Sequence, residues 1–178
     1  MVEITITEAL AETKTIAKRI ENKQQFILLY LFREERIKDP LIKEGGAEKV
    51  IGQEMQSIAD LNERKVAIRR QIQDANANYS ITVGKETRSI ADWLVWRREV
   101  ASNMKTFYME LRKKIEVART VARSRGSTIS SGEGSRPDDI VVNLNEQTIS
   151  QKIETLEETL GVLDGMLSLK NATIRIAV

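Results

Sequence analysis

Acid–base chemistry needs ionisable groups that converge on one substrate atom, and the chain offers adjacent carboxylates at Glu34/Glu35, Asp138/Asp139 and Glu157/Glu158. Neighbours in sequence diverge by about 100° on a helix and cannot meet at one atom. These pairs therefore read as solvated helix faces or loop charge. Val83-Gly84-Lys85-Glu86 lacks the upstream glycine and the following Ser/Thr of a nucleotide loop, and Gly132-Glu133-Gly134 precedes no suitable helix start. Both read as turns. Cysteine and histidine are absent, which removes disulfides, thiolate nucleophiles, Cys/His zinc sites, His general bases and the His-containing di-iron motif of helical bundles. No residue is assigned a catalytic, cofactor-binding or metal-binding role, and the expectation is a protein that is not an enzyme.

Binding chemistry has more to work with. Arg112, Lys113, Lys114, Arg119, Arg123 and Arg125 form a basic run, and Arg112, Arg119 and Arg123 recur near helical spacing. Such a run could track phosphates without reading bases. The bland reading is charge pairing within the protein: ten Lys/Arg stand against four Asp/Glu from Arg88 to Arg125, whereas Glu133 to Val178 carries eight acids against four bases. Trp93, Trp96 and Arg97 form a second candidate, a contact patch of the residue types enriched at binding hot spots; alternatively the tryptophans cover the join between helices and an end sheet, one of them partly exposed. Gly161 and Gly165 are the third. Each costs ~1 kcal/mol relative to Ala inside a helix, and with Ser168 and Ala172 they form a small-residue stripe where another backbone could approach, unless the helix end there is frayed or bent.

The elements that must position these residues are mostly helices. Thr5 with Glu8 opens the first (about 6–36) as a capping box, and Leu10, Ala17, Ile20, Ile27 and Leu31 form its seam, with Thr13 and Gln24 as its weak positions, until Asp39-Pro40. After a turn with Gly45-Gly46, the second (47–77) carries Ile51, Met55, Ile58, Leu61, Ile68, Ile72 and Ala75, which implies an antiparallel pair. A hairpin over 79–88 leads to the third helix (90–123), capped by Ser89 and Asp92. Its stripe runs Ile90, Leu94, Arg97, Ala101, Met104, Tyr108, Leu111, Ile115, Ala118, Ala122, broken by Arg97 alone and widened by Trp93, Val100 and Phe107. The segment 124–139, rich in Ser and Gly, reads as a mobile loop. An extended segment at 140–144, a fourth helix (146–170) with Ile149, Ile153, Leu156, Leu160, Leu163 and Leu167 on its seam, and a strand at 173–178 close the chain.

With 41% apolar residues, 4% aromatics and two prolines in 178 residues, the composition favours long helices over sandwiches or barrels. The expected fold is mainly α: one elongated domain, 1–178, of long antiparallel helices in a four-helix bundle or coiled-coil-like arrangement. Strands 2–6, 79–88 and 173–178 would share a small antiparallel sheet at one pole. A competing arrangement opens the chain into two helical hairpins that complete their cores against other subunits. No apolar run approaches the ~20 residues of a membrane span, and Met1 leads into no signal peptide. A cytoplasmic protein without membrane association is expected.

Ile4-Thr5-Ile6-Thr7-Glu8-Ala9-Leu10-Ala11-Glu12, Thr87-Arg88-Ser89-Ile90-Ala91-Asp92-Trp93-Leu94 and Leu163-Asp164-Gly165-Met166-Leu167-Ser168-Leu169-Lys170-Asn171-Ala172 resemble stretches of small helical proteins encoded among tailed-bacteriophage structural genes. More distantly, the arrangement is similar to the septicolysin-like helical family. The resemblance implies a virion or assembly component: a capsid-stabilising, neck or tail accessory protein in the host cytoplasm and the virion, partnered by itself or by other virion proteins. A phosphate-backbone nucleic-acid-binding protein is the alternative.

Overall fold

The computed structural model describes residues 2–130 and 136–178. The fold is mainly helical, with short strand pairs. In chain order the elements are β1 (Glu3–Thr5), α1 (Ile6–Tyr30), α2 (Ala47–Asn78), β2 (Ser80–Val83), β3 (Glu86–Ser89), α3 (Ile90–Val95), α4 (Ser102–Ser124), β4 (Ile129–Ser130), β5 (Ile140–Val141), α5 (Glu146–Thr173) and β6 (Arg175–Ala177). A π-helical turn, Trp96–Ala101, joins α3 to α4. The chain divides into two compact units, Met1–Asn78 with Ser168–Val178, and Tyr79–Leu167.

In the first unit α1 and α2 form an antiparallel hairpin. Lys23 pairs with Glu54 and Glu12 with Arg64, both at 2.6 Å, so position falls along α2 as it rises along α1. Thr5 starts α1 with a complete capping box: Glu8 N–H donates to Thr5 Oγ1 at 3.2 Å and Thr5 N–H to Glu8 Oε2 at 2.7 Å. The buried stripe of α1 is Ile6, Ala9, Thr13, Ile16 and Ile20; it shares Thr13 and Ile20 with the expected seam and leaves Ala17 and Leu31 exposed. Thr13 occupies a core position because its hydroxyl donates to the Leu10 carbonyl at 2.8 Å and so brings no unsatisfied polar group inside. The helix ends at Tyr30 instead of continuing to 36. Among the described residues no neighbour covers Leu31 and Phe32, and Glu34–Ile37 closes a local turn through its own backbone hydrogen bond. Helix propensity unsupported by packing is weak.

Asp39 organises the connection. One carboxylate oxygen accepts from Leu41 N–H at 2.8 Å and the other from Ala47 N–H at 2.7 Å, placing an anion at the first turn of α2. Gly45 and Gly46 take φ of 103° and 93°, a region open to glycine, and the chain reverses there as the Gly pair predicts.

The three expected end strands do not share one sheet. β1 pairs with β6 in antiparallel register, Ile4 opposite Ile176, while β2 and β3 form a separate hairpin with Val83 opposite Glu86. Each pair is complete for a local reason. β6 packs on α2, whereas β2 and β3 pack on α3, with the apolar residues Ile81 and Val83 turned inward, so each pair spends its apolar face on its own helix.

The second unit pairs the π turn and α4 with α5. Arg97 meets Asp164 at 3.1 Å, Lys105 meets Glu157 at 2.8 Å and Arg119 meets Glu146 at 2.6 Å, a descending order that sets α4 and α5 antiparallel. Tyr108, Ile115, Ile149 and Ile153 form the core between them, flanked by Leu111 and Val142. Ser89 caps α3 through Asp92 N–H at 3.0 Å, but the Asp92 carboxylate takes the Ser89 hydroxyl at 2.7 Å instead of the Ser89 N–H. Asp is one methylene shorter than the Glu that completes such a box. The π turn re-phases the helix: Ile90 and Trp93 are buried before it, Ala101, Tyr108, Ile115 and Ala122 after it, and Leu94, Arg97 and Met104 fall outside.

α4 closes with a Schellman motif. Gly126 N–H donates to Arg123 O and Ser127 N–H to Ala122 O, with Gly126 at φ 66°. Of the expected mobile loop 124–139, residues 131–135 lie outside the described residues. Its described flanks are held: β4 and β5 pair in parallel, and the Asp139 carboxylate accepts from Thr128 N–H, Thr128 Oγ1 and Arg136 N–H at 2.9–3.0 Å. A single carboxylate at the base of the loop thus ties its two described flanks together.

Candidate functional site

The most prominent surface of the first unit lies at the end of the α1–α2 hairpin. Phe26 to Phe32 is seven consecutive apolar residues. At 100° per residue such a run wraps the whole helix, while α2 covers one side of it. The rest faces water: Leu28, Leu29, Leu31, Phe32, Ile37, Ile42 and Met55 are each more than half exposed, with Phe32 at 85%. Phe26 and Tyr30 stack one helical turn apart, ring centroids 4.8 Å from each other, and stiffen this end. Gln24, Ile27, Leu28, Met55 and Ile58 line an open, mostly apolar groove of about 450 Å³ between the helices. The segment that joins the two helices is balanced in charge, with five bases and five acids from Leu31 to Lys49. Apolar side chains left in water together at one end of the hairpin make it the candidate interaction surface of this unit. The signal was present as the unbroken run itself, hidden because a helix apolar on all sides offers no face to a periodicity reading.

Trp93 and Trp96 separate in role. Trp93 is buried, its Nε1–H donates to the Ile81 carbonyl at 2.9 Å, and the Arg88 guanidinium lies 5.1 Å from its ring centroid. It fastens the β2–β3 hairpin to α3. Trp96 meets it edge to face at 5.3 Å and is half-buried. Arg97 is held by Asp164 on α5. The group is therefore a joint in which Trp93 is buried, Trp96 is half-buried and Arg97 stays exposed.

Gly161 and Gly165 lie within an intact α5, which continues through both to Thr173. A Cβ built at either meets no atom within 4 Å. Nothing among the described residues packs against this stripe.

The basic run divides likewise. Arg119 is engaged by Glu116 and Glu146, and its pKa is raised above its ordinary value by the Glu146 hydrogen bond and then by the charge of Glu116. Arg112, Lys113, Lys114, Arg123 and Arg125 are exposed, and among the described residues no ion pair engages them. Three of the cations facing α5 are thus neutralised by it, as the opposite charges of the two segments suggest, while five others remain in water. Among the described residues no group of three or more His, Cys, Asp or Glu could hold a metal, and no helix is long and apolar enough to cross a membrane.

No family model matches the chain, and no curated protein does. A solved structure of a functionally unknown conserved protein from Corynebacterium diphtheriae is similar to it with a TM-score of 0.62 and 18% identity, over 99% of this chain and 100% of that one. At that identity the likeness is one of fold.

Proposed function

We propose that the chain is a non-enzymatic structural protein, an oligomeric helical subunit of a larger assembly such as a phage virion, where it serves as a capsid-stabilising, neck or tail accessory component. In this reading the long helices complete a four-helix bundle or coiled-coil-like core, within the chain or between subunits. The observation that carries it is the apolar surface left in water at the end of the α1–α2 hairpin, where Leu28, Leu29, Leu31, Phe32 and Met55 are all more than half exposed. An apolar face of this kind is stabilised by a protein neighbour. The resemblance of the three stretches to phage structural proteins supplies the kind of assembly. Native mass spectrometry with and without duplex DNA tests it: defined oligomers without DNA support the reading, and a lone chain at every concentration overturns it.

A second reading rests on the cations Arg112, Lys113, Lys114, Arg123 and Arg125, which no ion pair engages among the described residues and which could bind a phosphate backbone. Complexes that form with DNA and dissociate as salt rises support it, because each phosphate contact releases counterions. Binding indifferent to salt contradicts it.

A further inference from the structure

We propose that the end of the α1–α2 hairpin is a self-recognition surface, in which Phe32 of one copy seats in the apolar groove beside Met55 of a second copy, and reciprocally. This rests on the assembly reading above and deepens it by naming the surface and its occupant. Three features of the hairpin end favour a second copy over other occupants.

The first is shape. The hairpin end carries both a projection and a receptacle: Phe32 stands 85% exposed just beyond α1, and the groove lined by Gln24, Ile27, Leu28, Met55 and Ile58 opens between α1 and α2 of the same unit. A surface that holds both halves of a knob-and-hole contact satisfies the condition for a two-fold interface, in which residue i meets j and j meets i. The groove is lined by aliphatic and thioether side chains with Gln24 alone polar, which suits an aromatic ring and leaves no buried charge to satisfy.

The second is charge. The segment Leu31 to Lys49 carries Arg33, Arg36, Lys38, Lys43 and Lys49 against Glu34, Glu35, Asp39, Glu44 and Glu48. A segment of both signs with no net charge does not repel a second copy of itself. It is unsuited to an anionic lipid surface, which attracts clustered Lys/Arg, and Glu34 and Glu35 closely follow the apolar run.

The third is area. The exposed parts of Leu28, Leu29, Leu31, Phe32, Ile42 and Met55 amount to on the order of 700 Å² per copy, close to the roughly 800 Å² that one partner contributes to a standard specific interface.

Sedimentation equilibrium of the full chain, with far-UV circular dichroism to monitor folding, tests the inference. The wild type is expected to form a dimer, and Phe32→Glu and Met55→Lys are each expected to raise its dissociation constant by about tenfold or more, since each puts a charge into an apolar contact. Because residue 32 of one copy would face residue 55 of the other, the double variant Phe32→Glu/Met55→Lys is expected to recover part of the lost affinity. Single variants whose effects simply add overturn the reciprocal seating. A dimer that ignores both substitutions and dissociates with Val162→Glu on α5 overturns it too, while leaving the assembly reading standing. A wild type that stays monomeric yet binds phosphatidylcholine vesicles through Phe32 would assign the surface to lipid and overturn the inference.

Discussion

Trp93 Nε1 donates to the Ile81 carbonyl at 2.9 Å across the junction of the β2–β3 hairpin with α3. Ile81, 1% exposed, sits opposite Arg88 in the hairpin, and Arg88 lies over the Trp93 ring, so one indole holds both strands of the hairpin. A lone two-stranded hairpin is marginal in water, and this anchor supplies what the strands lack.

Replacing Trp93 by Phe keeps an aromatic ring in the core but removes the side-chain hydrogen bond to the Ile81 carbonyl, at a cost of about 0.5–1.5 kcal/mol. The smaller ring also leaves a void where the indole ended. Chemical denaturation of the W93F chain is expected to show a midpoint lowered accordingly, with hydrogen exchange accelerated at the amides of residues 81–88. An unchanged midpoint with unchanged exchange would mean that the hairpin is held by something else.

Three carboxylates make stability depend on acid. The Glu8 carboxyl is held below its ordinary pKa by the Thr5 backbone and hydroxyl hydrogen bonds, Asp39 by the amides of Ala47 and Leu41, and Asp139 by the amides of Arg136 and Thr128 together with the Thr128 hydroxyl. In the unfolded chain these groups titrate near the usual values, about 3.9 for Asp and 4.3 for Glu. A lowered folded pKa means that the stabilisation is complete above the unfolded values and is lost as pH falls through the folded ones. Melting temperature is expected to hold from pH 7 to about 5 and to decline below about pH 4. Asp39→Asn and Asp139→Asn should each lower it at neutral pH and flatten the acid decline. A decline of identical slope in both variants would show that other groups drive it.

How well the chain could be read depended on whether packing or backbone chemistry ruled a segment. The α5 seam was legible because Ile149, Ile153, Leu156, Leu163 and Leu167 repeat at helical spacing and all are buried, with Leu160 half-buried. The charge partnership of α4 with α5 was legible for the same reason, since complementary composition has one cheap solution. The α1 register was legible in part: Thr13, a weak seam position by type, is buried because its own local hydrogen bond satisfies the hydroxyl, and Ile20 is buried with it, while Ile6, Ala9 and Ile16 take the core places expected of Leu10 and Ala17. The π turn at Trp96–Ala101 escapes any constant period. Arg97, the one break in the stripe, was its trace: a charged residue on an apolar row is what a local change of phase produces. Asp39 and Asp139 read as loop charge because their work is done on backbone amides, whose positions residue types do not reveal. The hairpin end was missed because a seven-residue apolar run has amplitude but no direction.

The three ion pairs that α5 makes with the π turn and α4 should contribute little individually. Their side chains are about a third to a half exposed, and pairs of this kind are typically worth ~0–1 kcal/mol and weaken with salt. Lys105→Glu is expected to lower stability by under ~1 kcal/mol at low salt, and the exchange Lys105→Glu with Glu157→Lys to restore it. Denaturation of the two singles and the double at low and high salt measures the coupling. A coupling that persists undiminished in high salt would mean the pair is far better shielded than its exposure indicates.

Gly161 and Gly165 separate intrinsic helix stability from assembly. Each sits in the interior of α5 where an added Cβ meets no atom within 4 Å, and neither has a positive φ. Replacing either by Ala therefore gains helix propensity, restricts the unfolded chain and disturbs no neighbour, so each is expected to stabilise the chain by about 0.5–1 kcal/mol. If the stripe they form with Ser168 and Ala172 receives a helix from another subunit, Gly161→Leu and Gly165→Leu would raise chain stability in the same direction yet weaken the oligomer, because close backbone approach needs the missing side chain. If the stripe faces only solvent, Ala and Leu leave the oligomer equally intact. Denaturation midpoints and native masses of the four variants decide the matter: stability and assembly moving in opposite directions identify a contact surface, and masses unchanged by Leu at both positions remove the glycines from the assembly altogether.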